Sequence, residues 1–199
     1  MPIVRFSRLL TLTIVFALTG CGHSPATHFY TLDAIAPRAT PASPAPVLRV
    51  DQVQVPSVLD RPELVHEYAQ GQLKVDDFSH WGAPLGQLIR TTLNQDLAAR
   101  LASGNLLPSL GTETPGAAGI SVDIVAVNTA GGDMTMDVIW TETQLVQSSR
   151  GEPGTAHRTV TSHTSRLTAS APANDAAGYA AGLSEMIGKL ADQIIAEAT

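Results

Sequence analysis

Ten uncharged and largely apolar residues, Leu9 to Leu18 (LLTLTIVFAL), stand behind Arg5 and Arg8 and stop three positions short of Cys21. This run decides which part of the chain can fold. A helix that crosses a bilayer needs about 20 apolar residues, because the hydrocarbon is roughly 30 Å thick and each helical residue rises about 1.5 Å. Ten is half of that. A basic flank in front and small residues behind complete the build of an export signal, in preference to a buried N-terminal core helix. Residues 1–20 are therefore expected to lie outside the fold.

Cys21 is the only cysteine among 199 residues, so no internal disulfide, multi-cysteine metal cluster or dithiol pair can form. At about 150 residues per domain the length predicts a single domain. Hydrophobic residues make up 44%, enough to bury a core, while 16 Gly and 13 Pro are too few for a low-complexity linker protein. The net charge of −6 opposes binding to nucleic acid or anionic headgroups by charge alone.

Leu18-Thr19-Gly20-Cys21 resembles the lipobox of bacterial lipoprotein precursors. The resemblance implies cleavage between Gly20 and Cys21, a diacylglyceryl thioether on the Cys21 sulfur, and a fatty acyl group such as palmitate on the new amine. Gly22, where an Asp would retain the protein, implies sorting to the outer membrane. A single acyl chain binds membranes only marginally, at about 0.8 kcal/mol per buried CH₂, whereas two or more hold for long times. Without Arg5 and Arg8 the mature chain has ten basic and 18 acidic residues, a charge of −8. Acidic surface is repelled by anionic lipid, so acyl chains must do the anchoring. The chain divides into a signal at 1–20, a lipidated tether at 21–27 and a periplasmic domain at 28–199. Six residues between Cys21 and His28 reach at most ~21 Å, which keeps the domain close to its membrane.

Residues 28–33 (HFYTLD) have strand composition, and four prolines among residues 36–46 predict an extended loop. Val53 and Val55 alternate with Gln52 and Gln54 in a strand over 47–55 that Pro56 ends. Leu64 to Ala69 and Gln72 to Asp77 flank Gln70-Gly71 as a hairpin. Pro84 opens a helix with Leu85, Leu88, Ile89, Leu93, Leu97 and Leu101 on one face, and Gly104 is its stop. Ile120, Val122 and Ile124, a Gly131-Gly132 turn, and Met134, Met136, Val138 and Trp140 form two paired strands. A turn at Glu152-Pro153-Gly154, a Thr-rich strand over 157–170 and a helix over 174–198 complete the chain. The expected fold class is α+β: an antiparallel β-sheet with two amphipathic helices packed on one face, in a single domain.

Catalytic patterns are absent. The histidines at 23, 28, 66, 80, 157 and 163 show no metal-ligand spacing, and His157 and His163 lie about 20 Å apart along one strand. No nucleophile elbow, phosphate loop or dinucleotide fingerprint appears. Asp76-Asp77 reads as a solvated strand end, since neighbours on a strand point to opposite faces. No catalytic residue, cofactor or metal is expected. Two segments stand out: Val58 to Val65 (VLDRPELV) and Trp81 to Leu85 (WGAPL). Trp81 would staple the helix start against the core, and Arg61 would pair with Asp60 or Glu63. Leu59, Arg61 and Trp81 are also residue types suited to a partner surface.

The order of these motifs, from the lipobox at Cys21 through Tyr30-Thr31-Leu32 and Val58–Val65 to Trp81–Leu85, resembles the ABC-type transport auxiliary lipoproteins, the PqiC-like family. The chain departs from relatives in the uncharged Gly82-Ala83 before Pro84. Membership implies an outer-membrane lipoprotein facing the periplasm, with no enzymatic activity. Its role would be to dock an MCE-domain protein, with inner-membrane partners, for transport of lipid or another hydrophobic molecule between membranes. Cys21 is the one functional residue the resemblance assigns, homo-oligomerisation is left open, and nucleic acid is not a partner. The alternatives are a lipoprotein that carries lipid in its own apolar pocket and, behind it, a periplasmic hydrolase.

Overall fold

The computed structural model describes residues 25–37, 45–68, 72–109, 114–147, 156–170 and 175–198. The signal, Cys21, and the expected turns at Gln70-Gly71 and Glu152-Pro153-Gly154 lie outside these residues. In chain order the elements are β1 (His28–Tyr30), β2 (Leu48–Gln54), β3 (Glu63–Tyr68), β4 (Gln72–Trp81), α1 (Leu85–Arg100), β5 (Leu106–Leu107), β6 (Ala118–Ala130), β7 (Asp133–Gln147), β8 (Ala156–Ser170) and α2 (Ala176–Glu197).

The described strands join in one sheet whose central member is β6, which pairs with β2 and β3 along one edge and with β7 along the other. Strand β8 closes the far side on β7, and β4 and then β1 extend the near side from β3. This corrects the expectation of an antiparallel sheet. Antiparallel pairing holds for β3–β4, β6–β7 and β7–β8, but β1–β4, β2–β5, β2–β6 and β3–β6 are parallel. Parallel neighbours need a crossover of a dozen or more residues, and between β2 and β6 the chain supplies one that includes α1. Consistent with an interior strand, Leu48, Arg49 and Val50 are all buried in succession, as in sheets covered on both sides. The expectation of an α+β layer otherwise agrees with the elements observed.

Both helices cover one face. α1 packs on β2 and β5, whereas α2 packs on β8, β7 and β1, and the two helices contact each other. Between them and the sheet lie Ile120, Met134, Met136, Val138 and Trp140, each fully buried, facing Leu93, Leu97, Leu183, Ile187 and Leu190. At about 25 cal/mol per Å² of apolar surface, these side chains are the main favourable term in folding. The turn from β6 to β7 is made by Gly131 and Gly132, both at positive φ (63° and 96°), as the tightest hairpin turns require. Helix α2 starts on Asp175, whose carboxylate accepts from Ala177 N at 3.1 Å. Helix α1 stops at Arg100 rather than at Gly104, which has φ 91° in the following turn.

Candidate functional site

The residues after β1 form a strap over the helix layer. Leu32 is buried, Asp33 N donates to Ser184 Oγ on α2 at 3.1 Å, and Ile35 N donates to Asp96 Oδ1 on α1 at 2.8 Å. Ser184 Oγ donates in turn to Ala180 O at 2.9 Å. Beneath the strap, Arg100 Nη1 donates to Asp96 Oδ1 (2.9 Å) and to Ile35 O (3.1 Å), Nε to Asp192 Oδ1 (2.6 Å), and Nη2 to Gly188 O (3.2 Å). One guanidinium thus joins α1, α2 and the strap. Close approach depends on Gly188, where a Cβ would meet the Ile35 Cβ at 3.0 Å. A glycine inside a helix costs about 1 kcal/mol relative to alanine, and here it makes room for the crossing.

Burial raises the Asp96 carboxyl above its ordinary range, and the Ile35 amide and Arg100 only partly offset this. Sequence analysis missed this clamp. A signal existed, because Asp96 and Arg100 fall on the same helical face as Leu93 and Leu97, where charge is out of place. Both are buried, at 0% and 3% exposure.

Of the sequence-singled residues, Cys21 lies outside the described chain. Leu59 is 4% and Trp81 5% exposed, so both side chains face the core. Trp81 leans on Tyr179 of α2 with ring centroids 6.3 Å apart, and its backbone N–H donates to Pro62 O at 2.7 Å. The next residue, Gly82, donates its N–H to Tyr30 O at 2.7 Å. Trp81 therefore ties the start of α1 to both β1 and the 57–62 turn. Arg61 is exposed and pairs with Glu63 at 3.3 Å. The Glu63 carboxyl is held below its ordinary value, chiefly by a hydrogen bond from its own backbone and further by Arg61. The three residues do not converge on one surface, and Arg61 alone offers its side chain to solvent.

Among the described residues, no group of three His, Cys, Asp or Glu side chains could hold a metal ion. Strand β4 runs on past Asp76-Asp77 to Trp81, and Asp76 Oδ1 accepts from Phe78 N at 3.1 Å beside a bulge. His163 stacks on Trp140 at 3.9 Å and pairs with Glu197 at 2.9 Å, so it braces the end of α2. A shallow concavity of about 210 Å³ lies between Gln52, Gln54, Ser121, Asp123, Ile139 and Thr141, on the sheet face opposite the helices. No helix of the described chain is long and apolar enough to cross a membrane.

A layered α+β module with a clamped N-terminal strap and no assembled reaction centre among the described residues is the class this geometry defines. The family model of the ABC-type transport auxiliary lipoprotein component matches residues 30–195, from the last residue of β1 nearly to the end of α2, and the chain belongs to that family. No curated protein matches the chain. Among solved structures, an uncharacterized protein is similar at 16% identity with a TM-score of 0.67, over 88% of this chain and 100% of its own. A Xanthomonas campestris protein of the DUF330 family is similar at 14% identity with a TM-score of 0.59, over 85% of this chain and 93% of its own. Both show the fold.

Proposed function

We propose that this transport auxiliary component is a non-catalytic docking subunit, held by acyl groups on Cys21 in the outer membrane and facing the periplasm. It accompanies an MCE-domain protein that spans the periplasm, with inner-membrane partners, in moving lipid or another hydrophobic molecule between the membranes. Family membership and the lipobox pattern support the anchored, auxiliary role.

The observation that carries docking over lipid carriage is the filled space between sheet and helices. Leu48, Leu64, Ile89, Leu93, Ile120, Ile124, Met134, Met136 and Leu183 are each less than 2% exposed there. A carrier needs an apolar cavity of roughly 300 Å³ or more. The larger described concavity is smaller and opens on the other face.

The test is capture of the tagged protein from detergent-solubilised envelopes, with Cys21→Ala as control. The wild type is expected to bring down an MCE-domain protein, and the variant, free of the membrane, much less. Wild-type capture without any transport component refutes docking, and stoichiometric lipid bound to the Cys21→Ala protein supports carriage instead.

A further inference from the structure

We propose that the edge of the sheet formed by β1 and the last residues of β4 rests on the lipid surface, with Phe29 and Phe78 reaching into the headgroup layer. The inference rests on the acylation of Cys21 proposed above. Phe29 is 72% exposed and Phe78 45%, unusual for aromatic side chains on ordered strands. Phe29 lies opposite His80 in the parallel β1–β4 pair, with ring centroids 5.8 Å apart. Phe78 is two positions before His80, at the bulge of β4, and the exposed Phe78 and half-buried His80 alternate with the buried Ser79 and Trp81, which sets all three side chains on the outward face.

An outer strand ordinarily carries charge or proline to discourage contact, and this one carries a bare ring instead. The chain leading to the anchor names the occupant. Phe29 follows Cys21 by eight residues and can stand no more than about 28 Å from it even when fully extended. Pairing with β4 makes this edge the point at which the tether enters the fold, so it is the part whose distance from the membrane the tether limits most directly. Aromatic rings are favoured at the boundary between headgroups and acyl chains, and a protein contact there adds to what the acyl chains provide. Asp76 and Asp77 immediately precede Phe78 and disfavour an anionic surface, so the contact is with zwitterionic headgroups. Strand β8 lies five strand spacings from β1, about 24 Å away at ~4.8 Å each. Its exposed Val160 should stay in water.

The experiment uses the full-length lipoprotein reconstituted in phosphatidylcholine vesicles, with or without bromine on the acyl chains. Phe29→Trp, Phe78→Trp and Val160→Trp are compared with the wild type, whose Trp81 and Trp140 are the buried background. Bromine should at least halve the added emission of Phe29→Trp and Phe78→Trp and leave that of Val160→Trp unchanged. Mass spectrometry of the N-terminal peptide and vesicle flotation report the anchor separately. An acylated, floating protein whose two edge tryptophans are unquenched overturns the edge contact and leaves the anchor standing. Blue-shifted emission that bromine does not quench, the mark of cover by a second copy or another protein, also overturns it. A bare Cys21 removes both the anchor and the contact that depends on it.

Discussion

Two arginines of this chain hold aspartates at the same distance with different surroundings. Arg100 Nε lies 2.6 Å from Asp192 Oδ1, and Arg166 Nε lies 2.6 Å from Asp137 Oδ1. The Arg100 side chain is 3% exposed and shares its donors with Asp96, Ile35 and Gly188, whereas that of Arg166 is 73% exposed on the outer face of β8. Distance alone therefore says little about worth. Water screens the outer pair, so it contributes little to stability. Beneath the strap nothing replaces a lost partner, and removing one charge leaves the other buried and uncompensated.

Arg100→Met is the severest test of this contrast. It should cost about 3–5 kcal/mol of unfolding free energy in urea titrations, and adding Asp96→Asn to it should recover part of the loss. A cost near zero would make the clamp no different from the outer pair. Ser184→Ala, which leaves the Asp33 amide without its acceptor, should cost about 1–3 kcal/mol and speed hydrogen exchange at that amide. Unchanged exchange there would show that the strap is held by Leu32 and Ile35 alone.

The smallest expected effect, and the one that sets the two sites against each other, is in pH. Arg166 lowers the Asp137 carboxyl below its ordinary 3.8, so its contribution is present above that value and is lost as pH falls through the folded-state value. Burial raises Asp96 above 3.8, so the folded state holds that proton more tightly and stability declines as pH rises from 3.8 to the folded-state value. Asp137→Asn should therefore flatten the acid limb of the stability profile, and Asp96→Asn should remove the decline above it. Identical profiles for both variants would contradict the opposite signs. The Asp137 effect is further reduced by solvent screening.

Much of the architecture is written in local spacing. Alternation located β6 and β7, the glycine pair located their turn, and leucines three and four apart located α1. What spacing cannot encode is which strand lies beside which. β2 and β6 are neighbours although a hairpin and a helix separate them in sequence, so hairpin logic led to an antiparallel sheet where four pairings are parallel. β5 is only Leu106 and Leu107, too short to show any period. The clamp was hidden for a related reason. Asp96 and Arg100 sit on the leucine face at an i, i+4 spacing, but what they join emerges only when the strap, some sixty residues earlier, is laid across them. Trp81 was legible as a helix staple, and its burial and contact with Tyr179 agree with that reading.

The pairing of β1 with β4 bears on mechanics. His28, Phe29 and Tyr30 are held side by side with Ser79, His80 and Trp81, and the strap beyond them is pinned again at Asp33 and Ile35. Because the bonds between the two strands run across the chain direction, a tug on the N-terminal end along β1 strains them together instead of unzipping them singly. Load arriving by the leash is thus spread over sheet and helices before it reaches the interior, in the manner of a cable grip where a cord enters its housing.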